Sequence, residues 1–250
     1  MIPKIIHYCW FGKNPKPSDV LEYIETWRKF LPDYEIKEWN ESNFDIHCNR
    51  FVYEAYHIKK FAFVSDFCRL LALYNDGGIY LDTDVEMKKP FDKFLKHKAF
   101  VGYEWGGEGK GYISTAVLAS EKGNKWIKDM LNVYEKQPFI FWKGGKLNNE
   151  PNTIRLTKLL ENEYGLTRNG KFNILKNGIA VYPIDYFCAH RQDSSDYYIT
   201  NNTVCIHHFS GSWLTRHHSA LKKAIKRIQN ILLKTKLIIW DEKILKRVEW

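Results

Sequence analysis

Two glycines, a three-residue apolar segment and two carboxylates one residue apart follow one another in Gly77-Gly78-Ile79-Tyr80-Leu81-Asp82-Thr83-Asp84-Val85. Ile79 to Leu81 has the β-branched and aromatic character of a short buried strand, and the paired glycines mark the turn that feeds it. Asp82 and Asp84 therefore stand where the strand runs out, the edge at which open α/β sheets bind their ligands. Side chains at i and i+2 of a strand share a side. One carboxylate can then hold a hard divalent cation directly while the other reaches it through water or a sugar hydroxyl. Taken alone, an Asp-x-Asp is equally an ordinary solvated strand end, because aspartate forms turns. The neighbouring segments must decide.

Upstream, apolar residues at 63, 64, 67, 70, 71 and 74 follow helical spacing, Ser65 or Asp66 falls early in that helix, and Gly77 is a natural stop. Asp66 and Arg69 are three apart, share a face and suit an ion pair. The opening Ile2-Pro3-Lys4-Ile5-Ile6-His7-Tyr8-Cys9-Trp10-Phe11-Gly12 reads as a first strand ending in aromatics and a glycine turn. Trp10 and Phe11 are either core residues or flat surfaces for a nucleobase, which stacks strongly on indole or phenyl rings. Near the other end, Val204-Cys205-Ile206-His207-His208-Phe209-Ser210-Gly211-Ser212-Trp213 is a β-rich run ending in two histidines, a small-residue turn and a tryptophan. Strand alternation sends His207 and His208 to opposite faces, and a neutral imidazole is a fitting ligand for Mn²⁺ beside two carboxylates.

Ser-Asp-x-x-Arg at 65–69, followed by Asn-x-Gly-Gly-x-Tyr-x-Asp-x-Asp at 75–84, resembles the core signature of the DXD sugar transferases of glycosyltransferase family 32. It is similar also to the catalytic domain of the large clostridial glucosylating toxins. The Ile-Pro-Lys-x-Ile-His-x-x-Trp opening fits the same resemblance. What the resemblance implies is an α/β domain of GT-A type, Rossmann-like and nucleotide-sugar-binding, with a mixed central sheet over residues 1–215. It implies donor contacts from His7, Trp10, Phe11, Asp66, Arg69, Asp82, Ser212 and Trp213, with Asp66, Arg69, Asp82 and Asp84 as the catalytic set. The metal, Mn²⁺ or Mg²⁺, would be held by Asp82, Asp84 and His208, with Asp84 the direct ligand and Asp82 nearer the ribose or a metal-bound water. His208 is preferred to His207 because, in the resembling enzymes, a residue at this point completes the metal shell. Transfer with retention to a glycan or lipid-linked acceptor, in capsular or other surface polysaccharide synthesis, and UDP rather than GDP as the nucleotide, are further implications. Glu150-Pro151 followed by Thr157 matches the family's Gly-Pro-x-x-x-Thr segment imperfectly, so no catalytic base is named.

Two rival classes have different requirements. A haloacid-dehalogenase-type phosphohydrolase also uses Asp-x-Asp after a strand, but places it on the first strand. A non-catalytic sugar-binding or membrane-adaptor protein is the second.

The chain is long enough, at 250 residues, for one full hydrophobic core, and its 44% apolar and 16% aromatic content excludes disorder as the main state. Five cysteines, at 9, 48, 68, 188 and 205, form no C-x-x-C pair and suggest neither a zinc module nor a disulfide framework; a reducing cytoplasm is expected. Met1 leads straight into strand-like sequence and no apolar run approaches the roughly 18 residues of a span, so neither a leader nor a membrane helix is predicted. The net charge of +9 gathers in the tail, where residues 216–250 hold ten Lys or Arg against three Asp or Glu. Apolar positions there follow a helical stripe beside Lys222, Lys223, Lys226 and Arg227. This is the pattern of a basic amphipathic helix that either docks on the domain or lies on an anionic membrane. Nucleic acid is not an expected partner, since no recognised module accompanies the charge. Elsewhere helices are predicted over 19–30, 125–134 and 153–164. Strands are predicted over 34–39, 100–103 and 115–119, and a glycine-rich loop over 104–111.

Overall fold

The computed structural model describes residues 1–105, 111–135, 137–141, 146–191 and 196–211. The first half alternates strands and helices. β1 (Ile5–Cys9), α1 (Ser18–Phe30) and β2 (Glu35–Trp39) are followed by two consecutive helices, α2 (Arg50–His57) and α3 (Phe61–Asp76). The chain then returns through β3 (Gly78–Leu81) and β4 (Val85–Met87), and the antiparallel pair β5 (Ala99–Glu104) and β6 (Tyr112–Ser120) follows. Beyond these come α4 (Lys125–Glu135), the short ribbon β7 (Ile140–Phe141) and β8 (Lys146–Leu147), and α5 (Asn152–Tyr164). The described chain closes with β9 (Asn173–Ile174), β10 (Ile179–Tyr182), α6 (Ile184–Phe187) and β11 (Cys205–His207).

Seven strands form one mixed sheet in the order β2-β1-β3-β6-β5-β10-β9, so the expected α/β domain with a mixed central sheet is what the chain builds. β1 lies parallel to both β2 and β3, whereas β6 runs antiparallel to β3 and β5. The chain passes from β1 to β2 on one side and then crosses through α2 and α3 to β3 on the other side of β1, and such a switch point opens a crevice at the carboxyl ends of the strands. β1, β3 and β5 all point their carboxyl ends to this one edge.

Alternation along β3 explains why it is buried throughout. Ile79 and Leu81 pack with Ile24 and Trp27 of α1, while Tyr80 faces the cluster that holds Phe67 and Leu70 of α3. A strand covered on both faces needs continuous apolar character, which Ile-Tyr-Leu supplies. The join between α3 and β3 needs glycine on steric grounds. Gly77 and Gly78 have φ of +69° and +107°, and a Cβ at Gly78 would stand 2.6 Å from the carbonyl oxygen of Ile5.

α3 runs slightly beyond its predicted span at both ends, and β6 begins at Tyr112, three residues earlier than predicted. α2 has no counterpart among the predicted helices; an Asn49 side chain accepting from Phe51 N–H caps its start. The predicted amphipathic tail over 216–250, together with Ser212 and Trp213, lies outside the described residues.

Candidate functional site

Asp82 and Asp84 occupy the turn that joins β3 to β4. The Asp82 N–H donates to Ala116 O at 2.9 Å, and the Val85 N–H donates back to Asp82 O at 3.1 Å. The pair is therefore held by a turn rather than by the continuous strand that the i, i+2 spacing suggests, yet both carboxylates still reach one point. β4 leaves this turn to pair antiparallel with β11, in a register that sets His207 opposite Val85. That register brings a histidine from the far end of the chain to the acidic turn.

The histidine is His207, not the expected His208. His207 Nε2 lies 3.3 Å from Asp84 Oδ1, and among the described residues ligand atoms of Asp82, Asp84 and His207 all fall within 4.8 Å of one another. His208 points the other way: its Nε2 meets Glu86 Oε2 at 3.1 Å and its ring stacks on Tyr23 with centroids 4.7 Å apart. The physical reason is strand alternation. Both histidines end the same β11 ladder, and the face turned to the acidic turn belongs to the odd-numbered residue. The preference for His208 came from the resemblance, and the ladder register reverses it.

The cluster suits a divalent cation by its chemistry. Two carboxylates and one imidazole form the oxygen-rich, borderline donor set of Mn²⁺ or Mg²⁺ sites, with room for water and substrate oxygens. Burial pushes the Asp84 carboxyl up, but His207 and the Ser210 N–H, which donates to Oδ2 at 2.8 Å, outweigh it and hold Asp84 well below the usual carboxylate range. His207 shows the converse: burial opposes its charge, and the Asp84 carboxylate lifts it well above the ordinary imidazole value.

Behind the acidic turn lies a buried arginine. Arg69 Nη2 meets Asp66 Oδ1 at 3.0 Å, Nη1 meets Asp82 Oδ1 at 3.2 Å and donates to Thr115 O at 2.7 Å, and Nε donates to Ser65 O at 3.2 Å. Its guanidinium lies 4.4 Å from the Tyr80 ring centre, and the Tyr80 hydroxyl donates to Asp82 at 2.9 Å. The i, i+3 pair is thus an interior brace. With 4% of its surface exposed, Arg69 orients the two aspartates from the interior side of the turn. Asp66 also accepts from Asn152 Nδ2 at 3.4 Å, whose own amide oxygen accepts from the Tyr134 hydroxyl at 3.0 Å. Burial raises the Asp66 carboxyl to about 6 against the pull of Arg69.

At the switch point the aromatic expectations divide. Trp10 lines an open cleft of about 360 Å³ together with Lys13, Asn14, Asn40 and Glu41, its indole N–H donating to Asn14 O at 2.7 Å. Phe11 faces inward, nearly buried and edge-on to Phe44, so it is a core residue and not a donor contact. His7 is fully buried. Trp39 Nε1–H donates to its Nδ1 at 3.1 Å, so Nε2 carries the proton and donates to Gly77 O at 2.8 Å. His7 therefore ties β1 and β2 to the glycine turn ahead of β3.

Glu104, Thr115, Asn152 and Tyr134 have no signal in the sequence reading. Glu104 ends β5, and burial raises its carboxyl to about 7 although His207 and Ser114 favour its charge. Its position at a strand's carboxyl end is the cue that could have singled it out.

An α/β sheet thus gathers an Asp-x-Asp turn with a nearby histidine, a braced Asp-Arg pair and a polar cleft walled by Trp10 along one edge. Residues 17–101 match the family described as "Glycosyltransferase sugar-binding region containing DXD motif", so this part of the chain is similar to the DXD glycosyltransferases. The chain is 29% identical over 111 residues to inositol phosphoceramide mannosyltransferase 1 of Schizosaccharomyces pombe, which covers 40% of this chain and 33% of that protein. It is 34% identical over 104 residues to the uncharacterized glycosyltransferase L373 of Acanthamoeba polyphaga mimivirus, covering 38% of this chain and 40% of that one. Across the curated relatives it matches, the aligned part spans 23% to 40% of their length. Among solved structures, the PaToxG glycosyltransferase superposes with a TM-score of 0.47 and 21% identity over 65% of this chain and 70% of that one.

Proposed function

We propose that this protein transfers a sugar from a nucleotide-sugar, UDP-linked in the first instance, to a hydroxyl of a glycan or lipid-linked acceptor, with retention at the anomeric carbon, in surface polysaccharide synthesis. The observation that carries this reading is the convergence of Asp82, Asp84 and His207 at the end of β3, beside the Trp10 cleft at the end of β1. A cleft with an indole wall suits a nucleobase, and the separation of base and diphosphate subsites along one sheet edge matches the shape of a nucleotide-sugar.

Asp82, Asp84 and His207 would hold a divalent cation, Mn²⁺ or Mg²⁺, which would supply neutralisation of the charge on the departing diphosphate. The protein's own residues do the rest. Arg69 fixes both Asp66 and Asp82, so neither carboxylate rotates out of place when a sugar arrives. The Ser210 N–H and His207 hold Asp84 as an anion. Asp66, supported by Arg69 and Asn152, offers a carboxylate edge to sugar hydroxyls. In the transfer the anomeric carbon–oxygen bond to the diphosphate breaks and a bond to the acceptor oxygen forms. The diphosphate leaves with the electron pair, and the acceptor hydroxyl proton is released.

Nucleotide release from a panel of UDP- and GDP-sugars with Mn²⁺ tests the reading, with Asp84→Ala as the control. Turnover of at least one donor, lost in the variant, is expected. Neither binding nor turnover of any donor, or full activity of Asp84→Ala, overturns it.

For residues 216–250 we propose attachment to an anionic membrane on its cytoplasmic side, on the strength of their ten basic residues in an amphipathic pattern. Sedimentation with phosphatidylserine vesicles, with and without residues 220–250, tests this. Equal vesicle binding by both forms overturns it.

A further inference from the structure

At the end of the sheet farthest from β2, the edge strand β9 and the residue before it turn two apolar side chains to solvent. Phe172 and Ile174 are 51% and 49% exposed. Two residues apart, they share one face, and on that face β10 sets Ala180 opposite Ile174. Other rings continue the surface. Phe172 packs on Tyr182 with centroids 4.9 Å apart, Tyr182 packs on Tyr186 of α6 at 4.9 Å, and the Tyr182 hydroxyl meets His97 Nε2 at 2.8 Å. Both tyrosines keep part of their surface exposed. Scattered exposed apolar residues are ordinary, but rings in mutual contact form a patch, and a patch calls for an explanation.

The border of the patch is basic. Lys93 Nζ stands 5.7 Å from the Tyr186 ring centre, Lys96 precedes His97 and Lys171 precedes Phe172, and all three lysines are exposed. The neighbouring carboxylates have other partners. Asp92 meets Lys4 at 2.6 Å, and Asp185 accepts from Thr200 Oγ1 at 2.7 Å and Asn202 Nδ2 at 3.1 Å. This combination selects among occupants. A second copy docked through the same face about a two-fold axis would set these lysines against their counterparts, and like charges across an interface are repulsive. Lysines alone suffice to guard a sheet edge against strand addition, and that role has no use for Phe172 and Ile174. An anionic bilayer uses both. Aromatic and aliphatic groups enter the headgroup boundary, while lysine stems lie along them and hold their ammonium groups at the lipid phosphates.

We infer that the face carrying Phe172, Ile174 and Tyr182 rests on an anionic lipid bilayer, as a contact of the α/β domain itself and separate from residues 216–250. β10 runs parallel to β5 with Tyr182 opposite Gly102, so Tyr182 stands toward the sheet edge at which β1, β3 and β5 also end. A lipid-borne acceptor would then approach along the edge that holds the acidic turn. That consequence rests on the donor reading above, whereas the membrane contact does not.

Sedimentation of the full chain with mixed phosphatidylserine and phosphatidylcholine vesicles tests the contact without any turnover. Residues 216–250 stay in place, so each substitution reports on this face alone. The unaltered protein is expected to bind, and Phe172→Ser with Ile174→Ser should weaken the affinity about tenfold or more through the apolar area lost from the contact. Lys93→Gln with Lys171→Gln should weaken it about fivefold for each charge removed. These exposed lysines keep the test decisive should the serine pair disturb β9. Phe141→Ser removes a ring that is 40% exposed on β7 and should leave the affinity unchanged. No vesicle binding by the unaltered protein, or unchanged affinity in either double variant, overturns the inference. So does a loss in Phe141→Ser equal to that in the serine pair. A dimer in sedimentation velocity that the serine pair dissolves, with vesicle affinity intact, assigns the face to a second copy and also overturns it. Donor hydrolysis absent from the unaltered protein, with vesicle binding as expected, strikes the donor reading and leaves the contact standing.

Discussion

His207 Nε2 stands 3.3 Å from Asp84 Oδ1 although 122 residues separate the two in the chain, and the antiparallel pairing of β4 with β11 alone brings them together. Neighbouring His208 is turned to Glu86 by the same pairing. The contact makes the end of the described chain part of the site that β3 begins.

Exchange of these two histidines should therefore have unequal effects. Outer partners of a metal site already contribute roughly 10–100-fold to affinity, and His207→Ala, which removes a donor atom, is expected to weaken Mn²⁺ binding by at least that much. His208→Ala should stay within a few-fold. Titration of Mn²⁺ followed by electron paramagnetic resonance distinguishes them, and equal losses would show that His207 holds no metal.

Arg69 should matter for stability as well as for activity. Removing one member of a buried, hydrogen-bonded charge group strands the others, at a typical cost of about 3–5 kcal/mol. Arg69→Met leaves Asp66 and Asp82 facing each other without their common partner. Urea denaturation should show a loss of that size. A loss below about 1 kcal/mol would mean that water replaces the guanidinium.

Asp66 carries a pH signature. Its carboxyl is raised from 3.8 to about 6 by burial, with Arg69 opposing. Between those values the folded protein keeps a proton that the unfolded chain has lost, so this group withdraws stability as pH rises through that window. Asp66→Asn removes the effect. The melting temperature of the variant should gain on that of the unaltered protein from pH 4 to about 6 and run parallel above it. A constant difference across the window would show that Asp66 is ionised throughout.

Trp10 and Phe11 are adjacent, yet their substitutions should differ in kind. Trp10→Ala removes a wall of the open cleft and is expected to weaken nucleotide binding by the roughly 1–3 kcal/mol of a base stack, with little change in folding. Phe11→Ala empties a buried site against Phe44 and should cost about 3–5 kcal/mol of stability. Calorimetric titration of UDP beside thermal unfolding of each variant checks both.

Much of this architecture is legible from local pattern. The helical spacing of 63–74, the glycine stop and the Ile-Tyr-Leu strand reappear as α3 and β3 because each is decided by neighbours within a few residues. The Asp-x-Asp turn was recognisable for the same reason, and its spacing from Asp66 and Arg69 survives intact. α2 was missed because its apolar face, though clear, spans only eight residues, short of the 11–18-residue window over which helical periodicity is read. Glu104, Thr115 and Asn152 were missed because each is an unremarkable residue in its own segment, significant only through what lies across the sheet. His7 and Phe11 were expected as donor contacts from the resemblance. Strand alternation and burial turned both inward.

By itself the sequence determined the elements that local forces decide: the glycine-enforced join at 77–78, the buried strand behind it, the acidic turn, and the i, i+3 spacing of Asp66 and Arg69. Only the tertiary structure decided which histidine meets the aspartates, that Arg69 is an interior brace, and that Trp10 alone of the opening motif faces the cleft. The reason is geometric. A side chain's direction within a strand or helix follows from local periodicity, but the face that becomes a site depends on register between segments far apart in the chain, and a shift of one residue exchanges the two faces.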